Sequence, residues 1–210
     1  MKKLFSLIII LLTYNLYSGV SFTYSNGESL KHQRHLHQSQ KLKDGRIIVF
    51  GGFNGYFGAP KYYSSTEIYY PEFDRWFEGP NMNTYRYNHS SSVLGDGRVI
   101  TVGGSFNNSS EIFDPQTNEW KYINAPIGIA SNTKLITLHD GRALIAGNGE
   151  EGRTKCNLFT PMDEKWIEGP SLNQNHGEGF SLTVLSSGKV IIIGGSTAQN
   201  SIEIYDPIKN

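Results

Sequence analysis

Cysteine is almost absent. Cys156 stands alone among 210 residues, so no internal disulfide can brace the chain. Charge of either sign is not in excess: Lys plus Arg number 19, Asp plus Glu number 19, and the formal net charge is zero. A nucleic-acid binder ordinarily collects a basic excess on one face; neither that nor a charged tail is present, and no nucleic-acid partner is expected. Beyond the first residues there is no long apolar run and no sustained helical period, so stable membrane insertion of the mature chain is not expected. Phosphate-cradling glycine loops, zinc-ligand spacings and a nucleophile with base and orienting partner are also missing, and no cofactor, metal or catalytic residue is assigned.

What is present begins with a leader. Met1, Lys2 and Lys3 precede an apolar run from Leu4 to Leu12 broken only by Ser6. That pattern is a secretory signal peptide of bacterial type, too short to span a bilayer, with small residues Ser18 and Gly19 where a peptidase could cut. Residues 1–18 are therefore expected to be removed, leaving 19–210 as one domain, secreted or periplasmic. An uncleaved membrane anchor is the alternative.

The mature chain repeats itself. Asp44-Gly45-Arg46 recurs as Asp96-Gly97-Arg98, Asp140-Gly141-Arg142 and Ser187-Gly188-Lys189, at spacings of 52, 44 and 47. Each turn leads into an apolar strand that ends in small residues: Gly51-Gly52, Gly103-Gly104, Gly147-Asn148 and Gly194-Gly195. A third strand follows, with Glu67, Glu111, Asn157 or Glu203 near its start and Pro71, Pro115, Pro161 or Pro207 in the turn after it. A fourth carries Trp76, Trp120 or Trp166. Asp-Gly suits a hairpin because glycine takes the positive φ the turn needs. The glycine pair lets backbone approach backbone. One such sheet cannot bury both faces alone, whereas sheets stacked about an axis can, leaving short edges.

These residues resemble the kelch family, from about Val20 to Lys209. The glycine pair, the spaced tryptophans and the Arg-to-His spacing of Arg34 with His37 and Arg86 with His89 carry the likeness. The third unit has Ala130 and Thr133 at those places, and the fourth has Gly177 and Phe180. The resemblance implies an all-β, kelch-type β-propeller of about four four-stranded blades. Tyr24 lies 20 positions before Asp44, as Trp76 lies 20 before Asp96, and only three residues follow Pro207. Ser21 to Asn26 therefore reads as an outermost strand that completes the last blade and closes the ring. Kelch propellers more often have six or seven blades, so a truncated larger propeller and self-association of two chains into a larger ring stand beside that reading.

His32, His35 and His37 crowd together as metal ligands would, but His37 shares its place in the repeat with His89, which favours buried blade residues satisfied by hydrogen bonds. Glu67, Glu111 and Glu203 occupy equivalent places on separate blades, so they read as partners for Arg, His or backbone N–H groups. Galactose oxidase, whose central domain is a kelch propeller with a copper site and a Cys-crosslinked Tyr, is distantly similar; Cys156 sits beside Asn157 in no copper constellation. The tight hairpins lie on one side of the blades and the longer loops on the other. The longest loop, 53–65, is rich in aromatics, and aromatics on a polar loop suit stacking on sugars or anchoring a protein. Phe53, Tyr56, Phe57, Tyr62, Tyr63, Tyr85 and Arg86 are the expected ligand-binding residues; the alternative is that these rings fold back over the blade. The expected function is an exported binding or interaction module for a protein or carbohydrate ligand. A small carbohydrate-active enzyme, like the sialic-acid mutarotases or the oxidase, is the rival.

Overall fold

The computed structural model describes residues 26–55, 59–104, 109–126, 133–148 and 154–209. The first unit runs through β1 (Gln38–Lys41), β2 (Ile47–Phe50), β3 (Phe53–Asn54), β4 (Lys61–Tyr62), β5 (Thr66–Tyr70) and β6 (Arg75–Glu78). Its antiparallel sheet has the order β1-β2-β5-β6, and β3 pairs with β4 as a separate hairpin inserted between β2 and β5. The second unit comprises β7 (Ser90–Val93), β8 (Val99–Val102), β9 (Ser109–Asp114) and β10 (Glu119–Asn124); the third, β11 (Lys134–Thr137), β12 (Ala143–Asn148), β13 (Lys155–Thr160) and β14 (Lys165–Glu168). The fourth has three strands among the described residues: β15 (Ser181–Val184), β16 (Val190–Ile193) and β17 (Ile202–Tyr205). The protein is all-β, built of kelch-type propeller blades in which each strand pairs with the next in antiparallel fashion. Among the described residues no helix is long and apolar enough to cross a membrane.

Each Asp-Gly turn is a three-residue loop. Leu42 N donates to Arg46 O at 2.8 Å, and Gly45 takes φ +94°. The aspartate fixes the turn locally: Asp44 Oδ1 accepts from Arg46 N at 3.0 Å, and Asp96 and Asp140 do the same for Arg98 and Arg142. The arginine then reaches the next blade, where Arg46 donates to Pro115 O at 3.1 Å and Arg98 to Pro161 O at 2.8 Å. One side chain thus both shapes a turn and ties two sheets.

The blades pack face to face. Leu42, Ile48, Phe50 and Ile68 of the first unit form one buried cluster with Met82, Val99, Phe113 and Trp120 of the second. Trp120 Nε1 donates back to Thr66 Oγ1 at 3.1 Å, and Trp166 Nε1 to Ser110 Oγ at 3.1 Å. The tryptophan therefore covers the neighbouring blade as well as its own strand. The innermost strands β1, β7, β11 and β15 pack in that order, and β15 has no comparable packing on β1. The described blades form an open series. The closing strand expected at Ser21 to Asn26 and the leader 1–18 lie outside the described residues, apart from Asn26, which is not in a strand.

The two glycines of a pair do different work. A Cβ on Gly51 would lie 2.5 Å from Arg86 O of the next blade, and one on Gly52 would lie 2.7 Å from His35 O of its own. A Cβ on Gly104, at φ +66°, would meet Tyr87 O at 2.5 Å and His89 Cβ at 2.7 Å. Gly45 has the same need for positive φ but open space around it. Gly104→Ala is therefore expected to cost about 3 kcal/mol or more and Gly45→Ala about 1 kcal/mol, the difference being the backbone clash. Urea unfolding of the two variants checks this, and equal losses would contradict it.

Candidate functional site

The loop side of the first two blades is organised around a buried carboxylate. Glu111, on β9, is fully buried. Its oxygens accept from Asn83 N at 2.6 Å, Thr84 N at 3.2 Å, Arg86 Nε at 3.2 Å and Arg86 Nη2 at 3.1 Å. Arg86, also fully buried, spends its remaining donors on Gly103 O, Ser109 O and Ser109 Oγ. The first blade repeats this: Glu67 accepts from Lys31 N at 2.6 Å, His32 N at 3.2 Å and Arg34 Nη2 at 2.7 Å. The fourth does so with a histidine, where Glu203 accepts from Asn173 N at 2.7 Å and Gln174 N at 3.2 Å and lies 3.0 Å from His176 Nε2. The glutamates are thus the structural partners that their repeat positions implied. The fourth blade corrects the register: His176, not Gly177, takes the arginine's place, and Gly177 at φ +68° absorbs the extra residue. In the third blade Asn157 donates to Ile167 O, and 127–132, where its entry segment would come, lie outside the described residues.

This clasp aims the flanking side chains. Arg86 points inward, so Tyr85 and Tyr87 point the other way, as alternation along an extended chain requires. They meet Tyr62, at the end of the β3–β4 hairpin, which stacks on Tyr85 at 5.5 Å and 25° and on Tyr87 at 5.1 Å and 26°. Phe53, paired with Tyr62 across the hairpin, lies edge-on to Tyr87 at 5.3 Å and packs on His35. Tyr62 is 40% exposed and Tyr85 43%. The result is a continuous aromatic surface with Lys61 and Asn54 exposed beside it.

Of the expected binding residues, Phe53, Tyr62 and Tyr85 come together there. Tyr56 and Phe57 lie outside the described residues. Two expectations are corrected: Arg86 is consumed by Glu111 and backbone carbonyls, and Tyr63 is buried beneath the hairpin between Arg34, at 5.2 Å, and His32. Tyr87 was missed, though its position one residue after Arg86 carried the signal.

A family model described as Kelch motif matches residues 43–83, and a second so described matches 85–126. The chain carries two kelch repeats. Galactose oxidase of Gibberella zeae is 33% identical over 82 residues, an F-box/kelch-repeat protein of Arabidopsis thaliana 26% over 119, and human Kelch-like protein 15 30% over 115. These matches cover 37%, 53% and 49% of this chain. The kelch-repeat chain spans 11%, 32% and 18% of those proteins' own lengths.

Two groups in this kelch-repeat chain bear on its chemistry. Cys156 is buried on β13, and burial pushes its thiol up to about 12, which leaves little thiolate. Among the described residues no three His, Cys, Asp or Glu side chains converge as a metal-ligand set. His89 is buried, as expected, and packs on Phe50, but neither ring nitrogen finds a hydrogen-bond partner among the described residues, contrary to expectation. Burial, with Arg86 and His37 nearby, lowers its pKa to about 3. The folded state keeps His89 neutral while the unfolded chain protonates it from about pH 6.5 downward, so stability is full above that pH and falls as acid is added. Between about pH 7 and pH 5 the wild type is expected to lose about 2 kcal/mol through this group, and His89→Phe markedly less. Urea unfolding at the two pH values measures it; an unchanged pH dependence in the variant would contradict the assignment.

Proposed function

We propose that this kelch-repeat chain is an exported binding module that takes a protein ligand on the aromatic surface of Phe53, Tyr62, Tyr85 and Tyr87. The stack of Tyr62 between Tyr85 and Tyr87, open to solvent yet anchored from below by the Arg86–Glu111 clasp, is the observation that carries it. Rigid aromatic area recognises partners at low cost in conformational entropy. Kelch repeats characterise protein-interaction modules, and the F-box/kelch-repeat and Kelch-like relatives favour a protein partner. A glycan is the second ligand class, favoured by the exposed Tyr85 ring on which a sugar face could stack. Export rests on the leader sequence.

Replacing Tyr62 and Tyr85 by Ala is expected to weaken binding roughly tenfold or more while changing unfolding free energy by less than about 1 kcal/mol. The measurement pairs a displayed peptide library with a glycan array, both probed with wild type and variant. Equal loss of stability would assign the rings to packing, and retained binding would move the site elsewhere. Sugar mutarotation and oxidation assays on the same protein are expected to show no turnover; turnover lost in the variant would replace the binding reading with the enzymatic one.

A further inference from the structure

The aromatic surface of the first two blades is surrounded by chain without a free carboxylate. The segments on this loop side are 29–37, 51–66, 79–90 and 103–110, and their sequence contains no Asp or Glu. Its Lys and Arg residues are Lys31, Arg34, Lys61 and Arg86. Three of them are neutralised by glutamates of the third and fourth strands: Arg34 by Glu67, Arg86 by Glu111 and Lys31 by Glu78. Lys61 is exposed, its ammonium stands 5.5 Å from the centre of the Tyr63 ring, and among the described residues no carboxylate pairs with it. An uncompensated cation therefore adjoins Tyr62 in the β3–β4 hairpin.

The rings add a second preference of the same sign. Tyr85 and Tyr87 both stack on Tyr62, and Phe53 meets Tyr87 edge-on. Stacking spends ring faces on one another and turns edges and phenol hydroxyls toward a partner. The edge is the positive part of the aromatic quadrupole, whereas a cation binds over the negative face. Among the described residues none of the Tyr62, Tyr85 and Tyr87 hydroxyls has a hydrogen-bond partner, so each brings an unused O–H donor. Positive edges, free donors and one unpaired ammonium all favour an anionic acceptor.

We infer that the protein ligand of this surface is an acidic segment, whose Asp or Glu carboxylates are met by Lys61 and by the tyrosine edges and hydroxyls. The inference rests on the aromatic surface being the binding site. The charge of Lys61 is felt across about one screening length, ~10 Å at 0.1 M salt, which spans the neighbouring rings. A rim cation of this kind acts on the approach of the partner more than on its residence, and its effect fades with salt. The same field disfavours basic segments, so it selects as well as attracts.

A displayed random-peptide library selected on the full chain tests this. Peptides that lose binding to the variant carrying Tyr62→Ala and Tyr85→Ala are expected to be enriched in Asp and Glu, and changing those to Asn and Gln to weaken binding roughly tenfold or more. Lys61→Glu is expected to slow association of these peptides about tenfold and to flatten its salt dependence, while Lys61→Arg preserves both. Urea unfolding of both Lys61 variants is expected to match the wild type, which separates a lost charge from a lost fold. Tyrosine-dependent peptides without acidic enrichment, or acidic ones indifferent to Lys61→Glu, would overturn the acidic assignment and leave the aromatic site standing. A library that yields no peptide dependent on these tyrosines would overturn the site and this inference together.

Discussion

A buried glutamate held by two consecutive backbone N–H groups and one cationic or imidazole side chain is the contact on which the rest of this structure depends. A carboxylate inside a sheet stack is expensive unless every oxygen is used. Glu111 meets that condition with Asn83, Thr84 and Arg86, and Glu67 does so with Lys31, His32 and Arg34. The geometry fixes the entry segment of each blade against its third strand, and Arg86 O then accepts from Gly52 N of the preceding blade at 2.6 Å. With Arg86 locked inward, Tyr85 and Tyr87 have one direction left, and Tyr62 stacks between them. The candidate binding surface is therefore a consequence of a packing device repeated for other reasons.

Between blades the load is shared by apolar area and a few directed bonds. Trp120 buries its ring and Trp166 half-buries its own against the previous sheet, and each satisfies its indole N–H there, on Thr66 and Ser110 respectively. The turn arginines Arg46 and Arg98 clamp the opposite side through proline carbonyls. Both devices point from one blade to the next in a fixed direction, so a series of blades has unlike ends. The exposed isoleucines of the last blade and the unburied Trp76 of the first follow from that polarity.

Much of the fold was legible because the repeat confines each residue type to one physical job. Asp-Gly turns, glycine pairs, third-strand glutamates and spaced tryptophans all stand where the sequence places them. Side-chain direction in the entry segments was less legible. Arg86 and Tyr63 read as surface residues from their neighbours in sequence, but the alternation around Arg86 sends it inward and exposes Tyr85 instead. The fourth blade hid its clasp because counting from the hairpin reaches Gly177, and only the bend at that glycine brings His176 onto Glu203. His89 followed the repeat in its burial and departed from it in its hydrogen bonding, because its ring fills the space beside Gly51 and Phe50 rather than facing a polar group.

The most direct test of the clasp is a double-mutant cycle on Arg86→Met and Glu111→Gln, read by urea unfolding. Each single change leaves a buried group without its partner and is expected to cost about 3 to 5 kcal/mol, with the pair together costing far less than the sum. Costs that simply add, or single losses below about 1 kcal/mol, would contradict the central role assigned to this contact.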